Sequence, residues 1–407
     1  MTVEEAQQRD AADPIAFARE RFRLPEGVIY LDGNSLGALP KAAPAALANT
    51  AERQWGDDLI ASWNKHDWID WPTRIAGKLA PIVGARRHEL LIAESTSVSL
   101  FKLLAAAVRV RPDRKTILTQ ERNFPTDLYV AQGLAEMLGL QVKAVAPDDV
   151  IGALDDDTAV VTLTHVDYRS AAFYDMGAVN EAAHAAGAVT VWDLSHSAGA
   201  VELDLNGAGC DLAVGCGYKY LNGGPGAPAF IYVAERLQAE LRSPLQGWMG
   251  HAEPFAFVDD YRPAEGMAKF LTGTPSILAL AALDAGLSTF DEIEMVSLTA
   301  KSRSLSQLFV DEVEARCGGE VTLASPRDPT KRGSHVVFAH PEGYAIMQAL
   351  IDRGVIGDFR APDLMRFGFA PLYNNHVEMV RAAEILVDIL ATREWDQPRF
   401  KQRAKVT

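Results

Sequence analysis

The sequence predicts an α/β fold with a mainly parallel sheet, and two observations carry the prediction. Between about Ile117 and Val233, short apolar runs alternate with amphipathic stretches: Thr116 to Thr119, Ala159 to Leu163, Ala188 to Trp192, Leu212 to Gly215 and Ala229 to Val233. The polar residues in this region fall just after those runs, at Asn123 to Asp127, Thr164 to Tyr168, Asp193 to His196 and Tyr218 to Lys219. Ligands of parallel sheets bind beyond the carboxyl ends of the strands, so these strand ends converge on one expected site.

Other elements follow in chain order. Val28 to Gly37 reads as a short strand running into a loop whose glycines permit tight turns. Ser95-Thr96-Ser97 precedes the apolar periodicity of Val98 to Ala107, so a helix is expected to start near Thr96. Its hydroxyls suit an ordinary N-cap, and equally an anion site, because free N–H groups and the helix dipole face outward there. After about Thr274 the pattern changes to long helical stretches, Ile277 to Phe290 and Glu294 to Arg316, then strand-like segments at Val321 to Leu323 and His335 to Phe338. The expected organisation is an N-terminal segment, 1–60, packing with the small domain; a large domain, 61–299; and a smaller α+β domain, 300–407.

Composition sets limits. A chain of 407 residues that is 48% hydrophobic can bury a large core and a second domain. The formal charge of -15 argues against a nucleic-acid partner, which would need clustered Lys and Arg. Cys210, Cys216 and Cys317 are odd in number and lack CxxC spacing, so neither a disulfide framework nor a metal site is expected. No stretch approaches the roughly 18 apolar residues of a membrane span. A cytoplasmic protein without a membrane partner is the expectation.

The chemistry centres on Lys219, which follows an apolar run, is flanked by Tyr218 and Tyr220, and precedes Asn222-Gly223-Gly224-Pro225-Gly226. A Schiff-base lysine fits this setting, since glycines let the backbone approach a ligand closely. Asp193 ends the upstream run, with His196 three residues on. A carboxylate there suits the pyridine nitrogen of pyridoxal phosphate, whose protonation makes the ring an electron sink. Singly, each residue has a plainer reading: Lys219 as a solvated loop lysine, Asp193 as a helix cap, His196 as a buried structural histidine, Phe124 as core. Together with the Thr96 helix start they point to pyridoxal phosphate.

At this point the residues resemble a known family. Val28 to Gly37, Asn123-Phe124-Pro125-Thr126-Asp127, Leu163 to Val166, Trp192 to Gly199, Tyr218-Lys219-Tyr220-Leu221-Asn222-Gly223-Gly224-Pro225-Gly226 and Met365-Arg366-Phe367-Gly368-Phe369 resemble kynureninases of the bacterial type, from about residue 20 onward. The resemblance implies the fold-type I architecture of pyridoxal-phosphate enzymes: a mainly parallel seven-stranded sheet flanked by helices, plus a smaller α+β C-terminal domain. It implies hydrolysis of L-kynurenine, and of 3-hydroxy-L-kynurenine as a second substrate to be tested, to anthranilate or 3-hydroxyanthranilate and L-alanine.

Site residues follow from the same resemblance. Lys219 would carry the cofactor, Asp193 would face the pyridine nitrogen with His196 beside it, and Phe124 would stack on the ring. Pro125, Thr126 and Asp127 belong to the same loop, and Thr164 would lie near the ring hydroxyl. Thr96, Ser97 and Tyr218 would contact the phosphate, joined by Trp248 and Thr274 from a second subunit, which implies a homodimer with shared sites. Arg366 would clamp the substrate carboxylate, Ser35 and Trp63 would line the aromatic pocket, and Tyr218 is the expected acid for the final protonation. The chain departs from the family at Gly217, where Ser or Thr often stands, and at Ser170-Ala171, which replaces Thr-Gly. The rival readings are a cysteine desulfurase, which would need a nucleophilic cysteine on a mobile loop; an aminotransferase; and a non-catalytic protein retaining the fold.

Overall fold

A computed structural model describes residues 1–403. Its main sheet has seven strands: β1 (Leu90–Ala93), β2 (Thr116–Gln120), β3 (Gln141–Val145), β4 (Thr158–Thr164), β5 (Val189–Asp193), β6 (Leu212–Gly215) and β7 (Ala229–Val233). Their order across the sheet is β1-β7-β6-β5-β4-β2-β3. β7 pairs antiparallel with both neighbours, and the other pairings are parallel.

Both faces of this sheet are covered, and the side-chain alternation shows it. Trp192, Phe230 and Tyr232 enter one apolar cluster, whereas Val191, Ile231 and Val233 enter the cluster on the opposite face. Burial on both faces is why the parallel strands read as continuous apolar runs. Two strands escape that reading. β3 lies at the edge with Gln141 and Ala144 exposed, and β1 is only four residues long.

The Thr96–Arg109 helix begins where expected. Ser95 is its N-cap, accepting from the Val98 N–H at 3.4 Å. The Pro125–Leu138 helix starts directly after Phe124, with proline at its first position and Gly139 closing it in the left-handed conformation at φ 67°.

A second core surrounds a four-stranded antiparallel sheet, β8 (Thr322–Leu323), β9 (His335–Ala339), β10 (Asp358–Arg360) and β11 (Leu364–Gly368), in the order β8-β9-β11-β10. Helices Met295–Arg316, Gly343–Asp352 and His376–Thr392 pack on it through Phe309, Ile346, Leu350, Met379 and Leu386. The N-terminal region is shared between the two units: Ile15, Ala18, Phe22 and Ala38 enter the core of the main sheet, and other residues join the smaller one. Ala6 enters its core, Asp10 accepts from the His376 and Val377 N–H groups at 2.7 and 3.1 Å, and Ile29–Tyr30 pairs in parallel with Val355–Ile356.

Candidate active site

The carboxyl ends of β1, β2, β4, β5 and β6 lie along one edge of the sheet, and the polar residues expected there are gathered by it. Asp193, the last residue of β5, is only 5% exposed and accepts from the Ser195 N–H at 2.7 Å. Asp127 sits in the first turn of the Pro125–Leu138 helix, accepting from the Thr164 hydroxyl at 3.1 Å. Burial and then the nearby Asp193 carboxylate push the Asp127 pKa well above the ordinary value. Thr164 also donates to Asn123, whose carbonyl oxygen accepts the Phe124 N–H at 2.7 Å.

Lys219 Nζ lies 3.0 Å from His196 Nε2, and it faces the rings of Phe124 and Tyr218 at 5.9 and 5.8 Å from their centroids. His196 is buried, and its other ring nitrogen has no partner. Burial, followed by the positive charges of Lys219 and Arg366, holds its pKa well below the ordinary value, so the imidazole is neutral. Its ring lies 5.5 Å, centroid to centroid, from that of His335 on β9, which is likewise buried.

The lysine turn is fixed from the N-terminal side. The Gly37 N–H donates to the Tyr218 carbonyl at 2.8 Å, and a Cβ at Gly37 would meet the Lys219 carbonyl oxygen at 2.4 Å. Only glycine allows that approach. Gly217 is equally constrained, since a Cβ there would lie 2.4 Å from the Pro228 carbonyl oxygen. A Ser or Thr would not fit this backbone. At the other departure, Ala171 adopts a left-handed φ of 67° while fully buried.

Arg366 on β11 is 1% exposed. Its Nε donates to Asp358 Oδ1 at 2.8 Å, Nη1 to the Tyr168 carbonyl at 2.8 Å, and Nη2 to the Ser35 hydroxyl at 3.1 Å and to Asp358 Oδ2. Ser35 and Arg360 also donate to Asp358 Oδ2, at 2.9 and 2.7 Å. Asp32, nearby, has its pKa raised to about 7 by burial and the Asp358 charge.

A cavity of about 700 Å³ opens beside this edge, lined by Ser35, Glu94, Ser95, Thr96, Tyr218, Thr272 and Thr274 among others. Thr274 also lines a second cavity of about 500 Å³, with Trp63, Trp248, Ile60, Met249 and Phe255. The structure thus brings Lys219, His196, Asp193, Asp127, Thr164 and Phe124 together, Ser35 with Arg366, and Thr96 with Tyr218 and Thr274. Trp63 meets Trp248 rather than Ser35. Ser97, Pro125 and Thr126 occupy the first turns of their helices and line neither cavity.

Sequence reasoning missed Asn123 as a partner of Thr164, and it missed Asp358, Arg360 and His335. Asp358 and Arg366 are cross-strand partners, a pairing visible only once β10 and β11 are in register. Among the described residues no His, Cys, Asp and Glu group is arranged to hold a metal ion.

The donor set fits pyridoxal phosphate: an amine, a buried carboxylate, a buried imidazole with one nitrogen unpartnered and a hydroxyl-lined cavity at a helix start. Comparisons with known proteins agree. A family model described as the kynureninase C-terminal domain matches residues 298–386. The chain is 50% identical to a kynureninase of Pseudomonas fluorescens, with 98% of each chain covered, and 49% identical to a kynureninase of Burkholderia mallei, with both covered completely. In fold it is similar to a cysteine desulfurase from Thermococcus onnurineus (TM-score 0.78, 20% identity, 92% of this chain and 98% of that one). It is also similar to C-DES with glycine covalently linked to its PLP cofactor (TM-score 0.78, 18% identity, 91% and 99%). At those identities the two structures speak for the architecture alone, that of fold-type I pyridoxal-phosphate enzymes. Full-length identity near one half decides the rest: the chain belongs to the kynureninase family, pyridoxal-phosphate-dependent hydrolases acting on carbon–carbon bonds.

Proposed function

We propose that this chain hydrolyses the Cβ–Cγ bond of L-kynurenine, yielding anthranilate and L-alanine, with Lys219 at the centre of the chemistry. The observation that carries the assignment of roles is the Lys219 amine held 3.0 Å from a buried, neutral imidazole on the sheet edge that also presents Asp193. Lys219 would hold the cofactor through Nζ, Asp193 would bind the pyridine nitrogen, and Phe124, Pro125, Thr126, Asp127, Thr164 and His196 would surround the ring. Thr96, Ser97 and Tyr218 would take the phosphate, joined by Trp248 and Thr274 of a second subunit, and within one chain Thr274 also lines the cavity with Thr96 and Tyr218. When bound, the cofactor supplies an electron sink for bonds at the substrate α- and β-carbons.

The chain's own groups do the rest. Arg366 binds the α-carboxylate through its planar fork, with Ser35 beside it, and Trp63 receives the aryl ketone. The released Lys219 amine takes the α-proton. A neutral His196 accepts a hydrogen bond from that amine without competing for its charge. The water oxygen ends on the former ketone carbon, giving the anthranilate carboxylate; Cβ gains a proton, and Cα regains the one that Lys219 took, to complete alanine. Tyr218 donates the Cβ proton; burial raises its phenol pKa, so it stays protonated until then. Tyr218→Phe should slow Cβ protonation in pre-steady-state measurements, and an unchanged rate would remove the role.

An absorbance scan of the purified protein followed by kynurenine addition tests the whole reading: a cofactor band and anthranilate fluorescence are expected, and a band without anthranilate would defeat it. L-kynurenine is the preferred substrate in this proposal. Side-by-side kcat/KM values decide it, a higher value for 3-hydroxy-L-kynurenine reversing the order.

The homodimer belongs to the same proposal. Trp248, Phe255 and Phe257 form an exposed aromatic cluster, with ring pairs at 5.6 and 6.3 Å, and exposed Ile60 lines a cavity with Trp248 and Phe255. An apolar patch of that kind marks an interface, and a monomer by light scattering would overturn it. In the proposed division into 1–60, 61–299 and 300–407, the boundary between the last two is supported by a core that gathers mainly residues beyond 300, and residues 1–60 contribute to both sides of it. A cytoplasmic location is supported by three free, buried cysteines. Among the described residues no helix is long and apolar enough to cross a membrane.

A further inference from the structure

Behind the cavity of about 700 Å³ lies an ion pair that the mechanism does not use. Lys102, on the Thr96–Arg109 helix, is completely buried at 0% exposure. Its ammonium donates to the Phe270 carbonyl at 2.6 Å and to one carboxylate oxygen of Glu94. The other carboxylate oxygen of Glu94 accepts from the Thr272 hydroxyl. Glu94 is a non-glycine residue at φ 37°, in the left-handed region, and both Glu94 and Thr272 line the cavity beside Ser95 and Thr96. Left-handed backbone is costly for an L-residue and is kept where the surroundings enforce it.

The connection extends outward from Thr272. Its carbonyl accepts from the Met249 N–H at 3.1 Å, and a Cβ at Gly247 would lie 2.2 Å from that same oxygen. One carboxylate therefore ties together the helix start, the segment leading to Thr274, and the turn carrying Trp248.

A carboxylate in the wall of an anion cavity repels the anion unless its charge is matched. Lys102 matches it from the dry side. We propose that Lys102, Glu94 and Thr272 are positioning residues for the cofactor's phosphate: they lock the Thr272–Thr274 segment against the Thr96 helix start and neutralise the cavity wall. This rests on the reading that the cavity takes the phosphate.

The test is equilibrium binding of pyridoxal phosphate and of pyridoxal, which lacks the phosphate, to apo-protein, followed by absorbance. The unmodified protein should bind pyridoxal phosphate far more tightly than pyridoxal. Lys102→Met should weaken pyridoxal phosphate by about 30-fold, since the unmatched Glu94 carboxylate then repels the phosphate, while pyridoxal changes by less than about threefold. Adding Glu94→Gln to Lys102→Met should restore most of the loss. Thr272→Val, which deletes one hydroxyl and keeps the ion pair, should weaken pyridoxal phosphate by about fivefold and serves if Lys102→Met does not fold.

Equal losses for both ligands, or affinities within twofold of the unmodified protein in both variants, would overturn the positioning role. Equal affinity of the unmodified protein for the two ligands would instead overturn the phosphate reading, and the proposal with it.

Discussion

Near Lys219 a buried imidazole keeps one nitrogen unpartnered, whereas near Arg366 the buried charges are already paired. His196 Nδ1 has no hydrogen bond. Arg366 spends Nε and Nη2 on Asp358, and it reaches Ser35 and the Tyr168 carbonyl as well. A ligand arriving at the first end adds interactions that the protein alone lacks. A carboxylate arriving at the second must exchange with one that is built in. The cofactor end is thus completed by binding, and the proposed substrate end is held in shape without it, since a buried guanidinium left alone is strongly destabilising.

The largest expected effect breaks the cofactor end. Lys219→Ala should lower anthranilate production by roughly 10⁴-fold or more, because the covalent anchor and the proton carrier are lost together. Substantial turnover without an added amine would contradict the scheme.

Asp358→Asn attacks the other end. Leaving Arg366 buried beside a neutral amide should cost about 3 kcal/mol of stability, read as a lowered denaturation midpoint. L-alanine should raise the variant's midpoint more than that of the unmodified protein, because its carboxylate replaces the missing one. No differential rescue would mean that Arg366 and ligand do not meet.

Acidity separates the two ends. Burial, then the Arg366 charge, pulls the His335 pKa to about 3, so the fold holds it neutral. Unfolded histidine binds a proton below about pH 6.5, so stability is lost as pH falls through that value. Each such group costs about 2 kcal/mol by pH 5. The Asp358 carboxyl has its pKa lowered, despite burial, chiefly by Arg366. Its contribution is present above the usual carboxylate range and disappears only in stronger acid. His335→Phe should accordingly flatten the loss of stability between pH 7 and 5 and leave the more acidic limb intact, as followed by denaturant titration.

The smallest effect concerns the loop joining the ends. Tyr168, whose carbonyl meets Arg366, also packs edge-on against Phe124 at 5.3 Å, and the same loop holds Ala171 left-handed. Ala171→Gly should stabilise by about 0.5 kcal/mol, the relief of strain exceeding the added chain entropy of glycine. A lowered midpoint would show that the buried methyl matters more.

The sequence showed the cofactor end more clearly than the substrate end for a physical reason. Asp193 and Thr164 follow apolar runs directly and Lys219 follows one after a three-residue turn, so strand periodicity places them on one edge without knowledge of distant pairings. Asp358 and Ser35 reach Arg366 through contacts spanning 8 and 331 residues, set by the register of β10 on β11 and by docking of the N-terminal loop. His335 opens an apolar strand, and nothing local marks it out until β9 is brought opposite His196. Gly217 looked like a lost hydroxyl. The Pro228 carbonyl shows that the backbone there has no room for one.

The contact of Gly37 with the Lys219 turn carries a consequence for how the chain assembles as it is synthesised. Residues 29–37 leave the ribosome early, yet their partners are the turn at 218–222 and the strand at Val355–Ile356. That segment has nothing to dock on until most of the chain exists. Its native pairing over the lysine turn can form only after residues 355–356 have been made.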